Sequence, residues 1–225
     1  MKKALLIIGD AWHAPSIINR AIGNRLEERG YLLWKAPGYE VPFENLEEFD
    51  MVVLSRYAFH DGLNTPEIDA KDRIPWISSR QEALIEQYVS EGGRLLLHHD
   101  GIGHYKRGNG ICRLSKAFCD GHPPIGPITV SPVPGHDFLN REIEPYIIYD
   151  EEFNLELKEE ETNVFLESFS ERNGRRPQGW YHSYGKGKVI VFVPGHDDTV
   201  LRHPMVKQGI LNILDWLEEG QEAGN

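Results

Sequence analysis

Short, wholly apolar runs alternate with helical segments in the first half of this chain. Residues 4–8, 51–54 and 95–97 have the continuous hydrophobicity of strands that are buried on both faces. After the first run, the segment 15–28 places apolar residues at helical spacing and stops before Gly30. Strands and helices that alternate in this way form a parallel sheet covered by helices. The pattern therefore predicts an α/β fold.

The second half of the chain is richer in strand signals. Strands are predicted at 125–133, 146–149, 163–169, 179–183 and 188–193. Segment 170–178 is predicted as a turn and 184–187 as a tight hairpin, and helices are predicted around 114–119 and from Pro204 onward. No linker separates the two halves, so we expect one domain over 1–220 with a polar tail at 221–225. The predicted fold is a mostly parallel, helix-flanked sheet with a β-rich extension.

Composition excludes some classes of partner. The formal net charge of −11 over 225 residues argues against binding to nucleic acid or to anionic membranes, which need a basic surface. Two cysteines, Cys112 and Cys119, lie seven residues apart, which predicts packing on one side of a helix. No apolar run approaches transmembrane length, and we expect a cytoplasmic protein. A small-molecule partner is expected, and a homo-oligomer is compatible with the chain.

Titratable residues cluster where predicted strands end. His98, His99 and Asp100 directly follow the apolar run 95–97, and Gly101 and Gly103 give this stretch room to turn. His196 follows the last strand, and His60 lies a few residues after the third, in a long polar connection over 56–75 that also holds Asp61 and Gly62. The carboxyl ends of parallel strands share one edge of the sheet, where α/β proteins bind ligands.

The chemistry of this edge has several readings. Imidazole is both a common metal ligand and a common general base near neutral pH, and the acidic run 150–152 offers carboxylates. The stretch could equally be a histidine-rich surface turn, and the remaining histidines are expected to be structural, a list that comprises His13, His136, His182 and His203. The sequence lacks a Gly-x-Ser-x-Gly elbow, a Gly-x-Gly-x-x-Gly fingerprint and a phosphate loop, and the central strand ends in histidine rather than cysteine.

An ordered series of short motifs resembles the ThuA-like (trehalose utilisation) family over about 84–217. The motifs are Gly92-Gly93 with the strand ending in His98, Phe118 with Gly121-His122-Pro123, Pro134-Gly135-His136, Ile143, Tyr149-Asp150-Glu151, Pro177-Gln178-Gly179-Trp180, Gly185-Lys186-Gly187-Lys188-Val189, Pro194-Gly195-His196-Asp197, and His203-Pro204 through Trp216. The resemblance implies a flavodoxin-like fold similar to class I glutamine amidotransferases. His98 would occupy the elbow of their cysteine, so the thioester chemistry of that nucleophile is not available.

The resemblance also implies a carbohydrate function. We expect a metal-assisted hydrolase, lyase or isomerase that acts on a sugar derivative, with a divalent metal, zinc above all, held by His98, His104 and His196. The expected proton-transfer residues are His99, Asp150 and Glu151, and the expected substrate-binding residues are His60, His122 and Trp180, with Trp12 and Tyr105 as further stacking candidates.

Two alternatives stay open at this stage. The first is a non-catalytic sugar-binding or regulatory protein, because a fold does not fix a function. The second is a metal-independent enzyme that uses histidine and aspartate as acid and base. Consecutive strand residues point to opposite faces, so His98 and His99 can both face the site only if the chain turns between them.

Overall fold

The computed structural model describes residues 1–60 and 73–219 of the chain. Its strands are β1 (Lys3–Ile8), β2 (Leu32–Ala36), β3 (Met51–Ser55), β4 (Arg94–His98), β5 (Ala117–Cys119), β6 (Gly126–Pro132), β7 (Tyr146–Asp150), β8 (Leu155–Leu157), β9 (Asn163–Ser170), β10 (Gly174–Tyr184) and β11 (Gly187–Phe192). Its α-helices are α1 (Pro15–Ile18), α2 (Asn24–Glu28), α3 (Ser79–Ser90), α4 (Gly110–Ser115), α5 (Asp198–Arg202) and α6 (Pro204–Glu218). A π-helical segment, Asn19–Gly23, joins α1 to α2, and 3₁₀ turns occupy Gly38–Glu40, Phe43–Glu48, His99–Ile102 and Glu159–Glu161.

In the described part of the chain, nine strands form one mixed sheet in the order β2-β1-β3-β4-β11-β10-β9-β6-β7. The first five of these run parallel, and the last four pair antiparallel. The α/β prediction is confirmed, whereas the sheet is less parallel than the sequence suggested. The cause lies in the connections: β10 and β11 are joined by the two residues 185–186, and so short a turn can link only antiparallel strands.

Helices cover both faces of the sheet and bury two apolar layers. Helix α3 and the 3₁₀ turns pack on one face, and α1, α2 and α6 pack on the other. Helix α3 begins with a capping box in which Ser78 accepts from the Gln81 amide, as the sequence predicted. Among the described residues, no helix is long and apolar enough to cross a membrane.

The helix predicted at 114–119 is wrong. Helix α4 ends at Ser115, and Lys116 adopts a left-handed conformation with φ of 58°. The chain then enters β5, which pairs antiparallel with β8 in a separate two-stranded sheet. Cys112 lies in α4, whereas Cys119 is the last residue of β5. The two cysteines therefore do not share a helix face.

The turn predicted at 170–178 is also shorter than expected. Strand β10 begins at Gly174, and its pairing with β9 shifts register on both sides of Gly179. The charged and proline residues of this stretch are not typical of a strand. The stretch is nevertheless a strand, because it pairs with β9. The predicted positions Asp61 and Gly62, and the predicted tail at 221–225, lie outside the described residues.

Candidate functional site

Three histidines meet where parallel strands end. His13 lies in the loop after β1, His99 directly follows β4, and His196 lies in the loop after β11. One ring nitrogen from each lies within 4.8 Å of the others. His13 Nε2 is 3.2 Å from His196 Nδ1, and the ring centroids of His13 and His99 are 4.8 Å apart. The parallel half of the sheet therefore builds this cluster from three separate stretches of sequence.

His99 occupies a sharp bend between β4 and the 3₁₀ turn that follows it. Its φ is 46°, whereas His98 keeps an extended φ of −109°. Left-handed backbone is uncommon for a residue other than glycine, and it persists where the surroundings impose it. The bend turns the His99 ring toward the other two histidines, and the residue at the elbow is thus His99 rather than His98.

His98 points away from the cluster into the interior. Its ring is fully buried, and Ser55 Oγ lies 2.9 Å from its Nδ1. Burial first of all, with the neighbouring histidine charges, lowers the pKa of His98 to about 3, so the ring is neutral. The structure does not bring His98 together with the histidines that could share a cation.

His13 is oriented by two carboxylates. Its Nδ1 lies 3.0 Å from Asp10 Oδ1 and 2.9 Å from Asp100 Oδ2. Burial opposes the charged ring, but the two carboxylates outweigh it and raise the pKa of His13 to about 10. Asp10 is itself fixed, because it accepts from the amides of Trp12 and His13 at 2.9 Å each. This arrangement leaves His13 Nε2 facing the cluster.

Glu151 lies among three imidazole rings. Its carboxylate oxygens are 3.2 Å from His99 Nε2, 3.0 Å from His196 Nδ1 and 3.2 Å from His122 Nε2. Burial would raise the pKa of Glu151, but the histidines reverse that effect and hold the pKa far below its usual range. The carboxylate is therefore ionised and can serve as a ligand or as a proton acceptor.

The three consecutive acids 150–152 have three different partners. Asp150 accepts from the backbone amides of Gly195 at 2.9 Å, His196 at 3.3 Å and Glu151 at 2.9 Å, so it fixes the backbone that carries two site residues. Glu152 accepts from hydroxyls of the β9 strand, at 3.2 Å from Ser168 and 2.6 Å from Ser170. Of the three, Glu151 is the one whose side chain reaches the histidines.

The cluster opens into a pocket of about 500 Å³, a volume typical of small-molecule sites. Its walls include the site residues and several further polar and aromatic side chains: Trp12, His13, Tyr57, Arg73, Asp100, His104, Cys119, His122, Glu151, Phe153 and His196. His104, like His99, has a left-handed backbone, with φ of 58°. Burial, opposed in part by nearby acids, lowers the pKa of His104, so its ring is neutral.

The other predicted substrate residues lie elsewhere. Trp180 is fully buried, and its Nε1 donates to the Ser115 carbonyl at 2.7 Å, so its ring has no surface to offer a ligand. Tyr105 is likewise buried, and its hydroxyl donates to the Arg56 carbonyl. His60 is exposed and is not among the residues that line the pocket. Both aromatic rings belong to the core that supports the site.

Sequence reasoning missed His13, Asp10 and Asp100 as a unit. The signal was present, because Asp10 and His13 directly follow the first predicted strand, whose end lies on the same edge as those of the later strands. His13 by itself looked structural, since nothing near it in the sequence identifies Asp100 as its partner. Only the adjacency of β1, β3 and β4 in the sheet brings them together.

The residues at this cluster fit a divalent cation. His99 Nδ1 donates to the Val193 carbonyl at 2.7 Å, so Nε2 is the nitrogen through which a neutral His99 ring would bind a cation. That Nε2 is buried and has no hydrogen-bond partner among the described residues, although Glu151 Oε2 is only 3.2 Å away. Outer carboxylate and carbonyl partners that fix a histidine in this way are typical of metal ligands. Imidazole nitrogens with one carboxylate oxygen form a donor set that zinc accepts.

Known structures share this fold. A ThuA-like protein of Bacteroides uniformis ATCC 8492 is 17% identical, with a TM-score of 0.71 over 100% of this chain and 94% of that one. A ThuA-like protein of Parabacteroides merdae ATCC 43184 is 14% identical, with a TM-score of 0.74 over 100% and 92%. A cytoplasmic protein of Salmonella typhimurium LT2 is 16% identical, with a TM-score of 0.64 over 96% and 99%. Identities this low show a common fold alone.

The family follows from the sequence match. No curated protein matches the chain at the level of sequence. Residues 10–217, however, match the ThuA family, which is described as trehalose utilisation. This range includes all three clustered histidines, Asp10, Asp100 and Glu151. The chain belongs to the ThuA family.

Proposed function

We propose that this chain is a metal-dependent enzyme that acts on a carbohydrate derivative as a hydrolase, lyase or isomerase. The observation that carries the proposal is the convergence of His13, His99, His196 and Glu151, of which all but His99 line one pocket. The description of the family as trehalose utilisation supports a carbohydrate substrate. Zinc is the metal that the donor set favours.

His13, His99 and His196 would hold the cation as neutral imidazoles, so binding would displace the Nε2 proton of His13, and Glu151 would be a fourth ligand or a base beside them. This set differs from the ligands expected from the sequence, because His98 is turned into the core and His104 lies on the pocket wall. A divalent cation, when bound, polarises a substrate oxygen or lowers the pKa of a water molecule. The backbone bonds of Asp150 and the Val193 carbonyl would keep the ligands in place.

His122 is suited to deliver a proton. Its Nδ1 lies 2.9 Å from the Pro123 carbonyl oxygen, and its Nε2 lies 3.2 Å from Glu151 Oε1. Both neighbours are hydrogen-bond acceptors, so an N–H on either ring nitrogen has a partner to donate to. The side chain is 34% exposed and lines the pocket, where a substrate oxygen can reach it. The neutral ring of His104 can donate to one sugar hydroxyl and accept from another.

Metal content tests the proposal directly. Protein purified without a nickel column should contain about one zinc ion per chain by elemental analysis, as expected for a single ligand cluster. His196→Ala should lose most of this zinc. His136→Ala is the matched control, because His136 contacts Tyr181 and Phe138 and lies outside the pocket lining. Equal zinc in the two variants would contradict the ligand assignment.

Turnover separates the proposal from its alternatives. Activity on a panel of disaccharides and their oxidised or phosphorylated derivatives should vanish on chelation and return with zinc. Metal-free protein that binds a sugar without converting it would identify a binding or regulatory protein. Turnover that survives chelation would identify a metal-independent acid–base enzyme that uses the His13 and Asp100 pair.

For location and partners we propose a cytoplasmic protein with a small-molecule ligand. The similar protein of Salmonella typhimurium LT2 is described as cytoplasmic, which supports the location. The net charge of −11 supports a ligand other than nucleic acid or an anionic membrane. Fractionation of the native host, with detection of the chain by antibody, tests the location.

A further inference from the structure

Arg73 is an unusual residue on the pocket wall. Among the described residues that line the pocket, it is the only arginine or lysine. Its Nη1 donates to the Tyr57 hydroxyl at 2.9 Å, and its guanidinium carbon lies 5.7 Å from the centroid of the Phe59 ring. Its Nε is buried and has no hydrogen-bond partner within 1–60 and 73–219. Within the described ranges, this cation thus contacts a phenol and a phenyl ring, and neither supplies a negative charge.

The carboxylates that share the pocket are already engaged. Asp100 lies 2.9 Å from His13 Nδ1, and Glu151 lies within 3.2 Å of three imidazole rings. In the described part of the chain, no ion pair joins Arg73 to an acidic residue. A partly buried guanidinium with no counterion among the described residues is costly, so an anion supplied by a ligand is favoured at this position.

The guanidinium group also has the geometry for an oxyanion. Its five N–H donors form a planar fork that matches a carboxylate or a phosphate with two parallel hydrogen bonds. Only one of these donors is used by Tyr57 among the bonds of the described residues. His104 lines the same pocket, and its ring lies 5.8 Å from that of Tyr57, so a neutral donor and acceptor stands close to the cation.

We propose that Arg73 binds a carboxylate or phosphate group on the substrate, which is therefore an anionic sugar derivative rather than a neutral sugar. The position of the reacting end, at the histidine cluster, rests on the proposed function. The anionic group lies against Arg73, and the hydroxyl or carbonyl oxygens of the sugar face the histidines and Glu151. Charge thus orients the substrate within one pocket, with its anion directed to Arg73.

Calorimetric titration with three probes tests this assignment. Glucuronate carries a carboxylate, glucose 6-phosphate carries a phosphate, and glucose is the neutral reference. Each is titrated into zinc-loaded and EDTA-treated protein, for the wild type, Arg73→Gln and Arg25→Gln. Arg25 pairs with Glu28 on α2 and is absent from the pocket lining, so its variant controls for the loss of one positive charge. The charge-assisted bonds should make an anionic probe bind about 10- to 100-fold more tightly than glucose.

The variants decide the outcome. Arg73→Gln should lose the preference for the anion while its zinc content and thermal midpoint stay at wild-type values, and Arg25→Gln should keep the preference. The tighter of the two anionic probes identifies the group as carboxylate or phosphate. Equal binding of all three probes by the wild type, or a preference that survives in Arg73→Gln, overturns the proposal. The EDTA-treated samples measure the anion preference of Arg73 without metal. If the protein proves to bind no metal, the proposed metal-dependent enzyme is refuted, while the assignment of Arg73 is still tested by these samples.

Discussion

Replacement of Asp100 by asparagine should lower the free energy of unfolding of the metal-free protein, by an amount that depends on pH. The buried ring of His13 lies between Asp10 and Asp100, and its pKa is about 10 instead of the usual value of about 6.5. That difference corresponds to about 5 kcal/mol in favour of the folded state with a protonated ring. Asp10 and Asp100 contact the same nitrogen at similar distances, so the loss of one charge should remove roughly half of this, about 2 kcal/mol.

The sign of the pH dependence follows from the raised pKa. Below about pH 6.5 the ring is protonated in both states, and the two carboxylates stabilise the fold by their full contribution. As the pH rises toward 10, the unfolded chain no longer holds this proton, and the contribution falls below about 1 kcal/mol. Asp100→Asn should therefore cost about 2 kcal/mol at pH 6 and much less at pH 10.

The assay is urea denaturation in EDTA at both pH values, followed by tryptophan fluorescence and circular dichroism. Asp198→Asn is the control, because Asp198 pairs with Arg20 and Arg202 at the surface, where such pairs contribute about 0–1 kcal/mol. Its small effect should not change between pH 6 and pH 10. A loss in Asp100→Asn that is equal at the two pH values would refute the reasoning, since it would show that the protonated His13 ring is not the group stabilised.

Two further predictions concern buried side chains. His182 has neither ring nitrogen hydrogen-bonded among the described residues, and burial, with the Lys116 charge, lowers its pKa to about 4. The unfolded chain therefore protonates His182 at a higher pH than the folded protein does, so acid destabilises the fold. In urea denaturation, His182→Leu should reduce the loss of unfolding free energy between pH 7.5 and pH 4.5 by about 2–3 kcal/mol. A loss as large as that of the wild type would contradict this. Trp180→Phe removes the bond to Ser115 and should lower the free energy of unfolding by about 1–3 kcal/mol with zinc content unchanged. Weaker sugar binding at unchanged stability would instead make Trp180 a ligand contact.

The sequence predicted most of the secondary structure because its elements have strong local signals. The apolar runs of β1, β3 and β4 are continuous, and Ser78 and Gln81 mark the start of α3 with a capping box. The errors occurred where a distant partner decides the structure. Strand β5 exists because β8 pairs with it, and the first residues of β10 are held by β9 rather than by their own composition.

The sequence indicated where histidines meet but not which of them do. Histidines at the ends of β4 and β11 lie at the edge of the sheet where the cluster forms, and His196 belongs to the cluster. Whether His98 or His99 faces the cluster depends on one backbone angle, the φ of 46° at His99. The alternation of side chains in an extended strand does not predict this angle. The sequence around His13 does not indicate its role, because its carboxylate partner Asp100 lies 87 positions away.

By itself, the sequence determined the α/β class, the family, and the edge of the sheet that carries the polar groups. Hydrophobic periodicity, the residues that end helices and strands, and the order of motifs can all be read along the chain. The tertiary structure alone decided which groups meet there. It turned His98 into the core and the His99 ring toward His13 and His196, placed His13 between two acids, and directed only Glu151 of the run 150–152 at the histidines. Those contacts depend on the order of strands in the sheet and on one strained turn. The spacing of residues along the chain predicts neither of them.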